Sequence, residues 1–166
     1  MSLKSVRNSL FVLMLCLSAS SAFAQMRPAP YGMPVSLESA RAGGRACIAE
    51  ATKNNWSMAV AVVDTGGHLV YFERMDGTQH ASSNIAIDKA RSAVMFKRPT
   101  KAFQDAIAKG GENFRVLGLQ GAIVAEGGVP LEVGGQVVGG VGLSGGTGEQ
   151  DSACAAAVIN GIKAGR

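Results

Sequence analysis

The sequence is poor in the residues from which most recognisable enzyme and metal sites are built. It holds only two histidines, three cysteines and one tryptophan in 166 residues, and aromatics make up 5%. The cysteines include no C-x-x-C pair, neither histidine stands at zinc-ligand spacing from them, and no H-E-x-x-H is present. C-x-x-C-H is also absent, which excludes haem attached covalently in the c-type manner. Neither His68 nor His80 has a sequence neighbour suggesting a hydrolytic triad, so nucleophilic catalysis is not expected. No G-K-[ST] closes a phosphate-binding loop, and the glycine-rich stretches do not open a βαβ unit, which argues against a dinucleotide site. Charge of one sign is scarce too. The formal net charge is +4, and setting aside Lys4 and Arg7 leaves 14 basic side chains against 12 acidic ones, scattered along the chain. That gives no footprint for nucleic acid. There is no internal repeat.

What is present begins with the three parts of a secretory signal. Lys4 and Arg7 supply a positive start, Leu10 to Leu17 an apolar run, and Ala22-Phe23-Ala24 an A-x-A cleavage site. The run is too short to span a bilayer comfortably. Leu15 before Cys16 is too large for a lipoprotein signal, and no other stretch reads as a span. The expected division is a signal peptide over 1–24, a flexible proline-rich lead-in over 25–35 and one domain over 36–166, in the periplasm or secreted. Cys47 and Cys154 remain in the domain. An oxidising compartment would let them pair, but a free cysteine on an apolar helix stripe is equally an ordinary core residue, and the choice stays open.

The hydrophobic periodicity gives the order of elements. Ser36 caps a helix whose face carries Leu37, Ala40, Gly44, Cys47, Ile48 and Ala51. Met58 to Val63 and His68 to Arg74 read as a hairpin about Asp64-Thr65-Gly66-Gly67. Ser82 or Ser83 caps a second helix that stops before Pro99, and Thr100 caps a shorter third that Gly110-Gly111 terminates. Ala122 to Ala125 is a short possible strand. Val129 to Val133 and Gln136 to Leu143 form a second hairpin about Gly134-Gly135. Thr147 and Gln150 form a T-x-x-Q capping box for the last helix. Strands and helices do not alternate, so the expected fold is α+β, a mostly antiparallel sheet with about four flanking helices.

Three stretches lie at strand ends or helix starts, where ligands commonly bind. They are Arg74-Met75-Asp76-Gly77, Glu126-Gly127-Gly128-Val129-Pro130 and Ser144 to Asp151. Glycines before a helix let an anion approach unpaired N–H groups, which makes Gly145, Gly146, Thr147 and Gly148 candidates. The plain alternative is a well-capped helix after a tight turn, with Glu149 and Asp151 complementing its dipole. Asp88, Lys89 and Arg91 read as a solvated helix face.

As a set these motifs resemble the GlcG/HbpS family of haem-binding proteins, which includes the C-terminal domain of PduO-type proteins. Val62-Val63-Asp64 with Gly66-Gly67, then Arg74-Met75-Asp76-Gly77, match its first half. Ile85 to Ala93 and Arg98-Pro99-Thr100 follow in order. Glu126 to Pro130, Val138 to Thr147 and Gln150-Asp151 match its second half. The resemblance covers about residues 36–164. It implies a five-stranded antiparallel sheet, assembly into homo-oligomers and non-covalent haem binding, with degradation or sensing of haem in some members. It carries over no axial ligand. On chemistry, His80 is the first candidate for haem iron, His68 the second and Met75 the third; Arg74 and the Gly145–Gly148 backbone are candidates for the propionates. The chain reads as a binding protein for haem or another small anionic ligand rather than an enzyme. A haem-degrading enzyme, a cobalamin-related module and a purely structural oligomer are the alternatives.

Overall fold

The computed structural model describes residues 28–164, so the expected signal peptide and the first residues of the lead-in lie outside the described residues. The elements run α1 (Leu37–Lys53), β1 (Ala59–Val63), β2 (Leu69–Arg74), α2 (Ala81–Phe96), α3 (Lys101–Lys109), a 3-10 helix (Gly111–Gly118), β3 (Gly128–Val133), β4 (Gln136–Ser144) and α4 (Gly148–Ala164). The strands form one antiparallel sheet in the order β2-β1-β4-β3. Two hairpins therefore meet through the central pair β1 and β4.

The sheet separates two cores. On one face Val60, Val62, Val141 and Leu143 pack against Cys47 of α1 and Cys154 and Val158 of α4. On the other, Ala59, Ala61 and Val63 pack against Ala86, Ala90 and Val94 of α2. β1 is buried at every position, which is why its sequence is a continuous apolar run without alternation. Two glycines of β4 set the spacing of α2. A Cβ on Gly140 would lie 2.5 Å from the carbonyl oxygen of Ala90, and one on Gly142 would collide with the backbone of Ala86 and Ala90. The helix backbone thus lies directly on the strand. At the β3–β4 turn, Gly134 and Gly135 both have positive φ, 55° and 73°, as a two-residue hairpin of this hand requires.

Several expectations need correction. The sheet has four strands among the described residues, not five. Ala122 to Ala125 forms no strand because its amides are taken elsewhere: Ile123 N–H donates to Ser92 Oγ at 3.0 Å, and the neighbouring Glu126 N–H to Gln104 Oε1 at 2.9 Å. Helix α2 starts at Ala81 with no side-chain cap, so Ser82 and Ser83 are helical residues. Thr100 makes no side-chain cap for α3; its hydroxyl accepts from Gly128 N–H at 2.9 Å and ties α3 to β3. From Ala29 onward the proline-rich stretch is tied down rather than loose. Val137 N–H donates to Pro30 O, Gly32 N–H to Val137 O and Val35 N–H to Val138 O, all within 2.9 Å, while Lys97 sits over the Tyr31 ring.

Candidate functional site

One end of the sheet gathers most of the residues singled out above. Ala59, the first residue of β1, pairs with Arg74 on one side and Ser144 on the other, so β2 and β4 both finish at this end. Met75 N–H donates to Met58 O at 3.0 Å, and the loops holding Gly77 and Gly145 both lie against Ser57. Helices α2 and α4 begin beside it, at Ala81 and Gly148. Arg74, Met75, His80 and the Gly145–Gly148 loop therefore share one end of the molecule. His68 does not join them. It stands at the start of β2, in the opposite turn, with its side chain 83% exposed and its Nδ1 3.3 Å from Asp64 Oδ1.

The Arg74 guanidinium lies against the His80 ring, with Nη1 3.0 Å from Nδ1. Arginine can only donate, so Nδ1 accepts and the neutral ring carries its proton on Nε2. Both side chains are exposed.

The Gly145–Gly148 loop is less open to an anion than its glycines suggest. The capping box forms as expected, with Thr147 N–H donating to Gln150 Oε1 at 3.0 Å and Gln150 N–H to Thr147 Oγ1 at 3.3 Å. Gly146 N–H donates to Asp151 Oδ1 at 3.3 Å. Glu126 supplies a further carboxylate at this helix start: a Cβ on Gly148 would lie 3.3 Å from its Oε2, and its Oε1 accepts from Ser152 Oγ at 2.7 Å. Internal acids already occupy much of the positive potential at the start of α4. Among the candidates for an incoming carboxylate, the Arg74 guanidinium is thus the more accessible.

Lys89 overturns the reading of a solvated face. It is 4% exposed, and its Nζ lies 2.7 Å from Asp151 Oδ2 and 2.9 Å from Leu143 O. Burial raises the Asp151 carboxyl above its ordinary range, while Lys89 and the Gly146 N–H oppose that shift. The pair links the middle of α2, the end of β4 and the first turn of α4. One sequence signal could have found it: Lys89 sits three residues after Ala86 and four before Ala93, in phase with the buried stripe of α2.

The absence of a hydrolase motif needs correction as well: Gly142 to Gly146 spell G-x-S-x-G between a strand and a helix, the setting of a hydrolase nucleophile. The geometry does not support that role. Ser144 is 5% exposed, its Oγ donates to Ser82 Oγ at 3.1 Å, and it is not among the residues with positive φ. Neither histidine is its hydrogen-bond partner.

A cavity of about 350 Å³ lies elsewhere. It is a groove at the far ends of α2 and α4, lined by Lys97, Arg98, Val129, Pro130, Ile159 and Lys163 among others. Of the three candidate stretches only the Val129-Pro130 end of the second borders it, and none of the residues proposed for haem iron or propionates does. Among the described residues no group of three or more His, Cys, Asp or Glu could hold a metal ion, and no helix is long and apolar enough to cross a membrane.

Comparison with known proteins gives a consistent result. The family model described as "Haem degrading protein HbpS-like" matches residues 35–160. Protein GlcG of Escherichia coli K12 is 44% identical over 95 residues, covering 57% of this chain and 69% of that protein. The crystal structure of a PduOC:heme complex superposes with a TM-score of 0.71 at 27% identity, over 78% of this chain and 95% of the other. HbpS of Streptomyces reticuli, solved as a double mutant, gives a TM-score of 0.71 at 29% identity, over 78% of this chain and 87% of the other.

Proposed function

The chain belongs to the HbpS-like family, and from that premise we propose that it is an exported protein that binds haem non-covalently at the end of the sheet where Arg74, Met75 and His80 meet. The observation that carries the reading is the Arg74–His80 pair, an accessible imidazole beside an accessible guanidinium, on a fold shared with a haem complex. Haem brings an iron that takes a nitrogen or sulfur ligand and two propionates that take cationic donors.

The pair suits those demands in a linked way. In the free protein the His80 Nδ1 accepts from Arg74. Ligation through Nε2 needs the ring proton on Nδ1 instead, and a protonated Nδ1 cannot accept from arginine. Engaging His80 therefore releases the Arg74 guanidinium, which is then free to pair with a propionate. Met75, half-buried beside Met58, offers a thioether as the weaker alternative. With Arg74 and His80 both exposed, this end of a single chain leaves one side of a bound haem open to solvent. A second copy of the chain, as the homo-oligomeric expectation has it, would supply the missing wall. Export rests on the A-x-A signal at Ala22-Phe23-Ala24, and an N-terminus at Gln25 in protein from the cell envelope is the expected result.

The test is a hemin titration followed at the Soret band, with cobalamin as a parallel ligand. Saturable binding is expected for the unaltered protein. His80→Ala should weaken it or change the spin state, and Arg74→Ala should weaken it about fivefold to tenfold, the value of an exposed charge-assisted hydrogen bond. His68→Ala, at the far end of β2, should leave it unchanged. An unchanged hemin spectrum up to tens of micromolar would refute haem binding, and equal spectra for all three variants would move the site away from this end. Biliverdin appearing with a reductant would make the protein a degrading enzyme rather than a carrier.

A further inference from the structure

Helices α1 and α4 run antiparallel, and their backbones nearly touch. A Cβ added at Gly43 would lie 2.9 Å from the carbonyl oxygen of Val158, and one at Gly161 would lie 3.0 Å from the carbonyl oxygen of Ala42 and from the Cα of Gly43. That register fixes what meets one turn further on. Four residues along α1 from Gly43 is Cys47, and four residues back along α4 from Val158 is Cys154. Both are fully buried, both are reduced in this structure, and Cys154 Sγ lies 3.6 Å from the Cys47 carbonyl oxygen.

We propose that Cys47 and Cys154 are a disulfide site, closed as α1 docks on α4 in the presence of a small-molecule disulfide or a disulfide oxidoreductase. Opposed positions at a glycine-tight helix contact bring the two Cα atoms towards the separation that a disulfide spans, about 4.4–6.8 Å. The steps balance by thiol exchange. One thiol loses its proton and attacks the oxidant's disulfide, giving a mixed disulfide and one free thiol of the oxidant. The second cysteine, deprotonated in turn, attacks the mixed disulfide, forms the Cys47–Cys154 bond and releases the second oxidant thiol. The two cysteines are oxidised and the oxidant's disulfide is reduced, with two protons passed to the released thiols. In the finished fold the reaction is slow. The hydrogen bond to Cys154 and burial together hold the Cys47 thiol far above the ordinary cysteine range, and neither sulfur meets solvent. The bond is therefore acquired during folding and then protected by the packing that closes over it. It would tie positions 107 residues apart. Cross-linking so long a loop removes much of the unfolded chain's freedom.

The experiment uses the chain with Cys16→Ser, so that only the two domain thiols remain. The protein is unfolded with reductant, refolded in a mixture of oxidised and reduced glutathione, then alkylated in denaturant and digested. The expected result is no alkylation of either cysteine and one cross-linked peptide that separates on reduction. Reduction should also raise the unfolding equilibrium constant by on the order of 30-fold or more. In a Cys154→Ser variant, checked for folding by circular dichroism, Cys47 should alkylate fully. Alkylation of both cysteines after oxidative refolding, or separate glutathione adducts on each, would overturn the proposal. Incubating the already folded protein with oxidised glutathione near its unfolding midpoint gives a second reading, in which the cross-link should accumulate; failure to accumulate would also count against it.

Discussion

Replacing Lys89 by methionine should be among the most damaging single changes available in this protein, and its effect should depend on pH in a specific direction. The Lys89–Asp151 pair is separated by 2.7 Å, with side chains 5% and 4% exposed. Methionine keeps most of the volume and removes the charge, leaving Asp151 with only the Gly146 N–H at 3.3 Å. Breaking a buried pair by deleting one partner costs about 3–5 kcal/mol, because the remaining charge is desolvated and unpaired. For a domain of this size that corresponds to a fall in Tm of about 10 °C or more. Burial already raises the Asp151 carboxyl, and losing Lys89 removes the main opposing influence. A carboxyl whose folded pKa lies above its unfolded one binds more protons when folded, so stability falls as pH rises between the two values. The variant should therefore be most impaired near neutrality and recover part of its stability as pH falls towards 4. Adding Asp151→Leu removes the stranded charge, and should restore most of the loss and abolish the extra pH dependence. Urea unfolding of the three proteins across pH, followed by circular dichroism, reads all of this. A cost below about 1 kcal/mol for Lys89→Met, or a double variant no better than the single, would refute the assignment of a buried, charge-compensated brace.

Other consequences are simpler. Gly142→Ala puts a methyl into the Ala86 and Ala90 backbone, which cannot move without lifting α2 from the sheet; a loss of about 3 kcal/mol is expected in chemical denaturation. Asp64→Ala removes the carboxylate that accepts from Gly66 N–H at 2.8 Å and His68 N–H at 2.9 Å, and should cost about 1 kcal/mol. Partial desolvation raises the Asp64 carboxyl slightly, but the His68 and Gly66 N–H groups outweigh it and hold the pKa below its usual value. Its stabilisation is therefore present above the unfolded pKa and lost as pH falls through the lowered folded value, so wild type and variant should converge in stability only in strong acid.

Much of the fold was legible because burial leaves periodic marks. The all-apolar β1, the Gly134-Gly135 turn, the α1 face carrying Cys47 and the Thr147–Gln150 capping box all appear where local chemistry puts them. The misses share a cause, a side chain whose partner is distant in sequence. Ala122 to Ala125 has the composition of a strand, but Ser92 and Gln104, on two different helices, take the amides of Ile123 and Glu126. Ser82 looks like a cap, yet its hydroxyl is held by Ser144, 62 residues away. Thr100 looks like another, and is bound to Gly128. The proline-rich stretch has the composition of a tether, but Tyr31 and Val35 reach α2 and β4.

The candidate site was legible to a different degree, because glycines and charges advertise ligands and packing equally. Gly145 to Gly148 reads as an anion cradle in the sequence, but the structure shows how much of that cradle is used internally. Gly145 lies tight against Ser57 and Met58, Gly146 N–H is held by Asp151, and Gly148 lies beside the Glu126 carboxylate. Lys89, whose charge suggests a surface residue, is buried at the same end and braces the loop through Asp151. The two findings fit together physically. A lysine ammonium in the interior needs a carboxylate, that carboxylate takes one of the loop amides, and the α4 start then has little positive potential left for an external anion. What remains accessible at this end is the Arg74–His80 pair, six residues apart in sequence and joined only because β2 ends where α2 begins. A ligand that carries both an imidazole-seeking centre and a carboxylate would engage that pair, whereas a simple phosphate would have only the guanidinium. Inorganic phosphate should therefore compete weakly with hemin, and full competition at millimolar phosphate would return the site to a plain anion pocket.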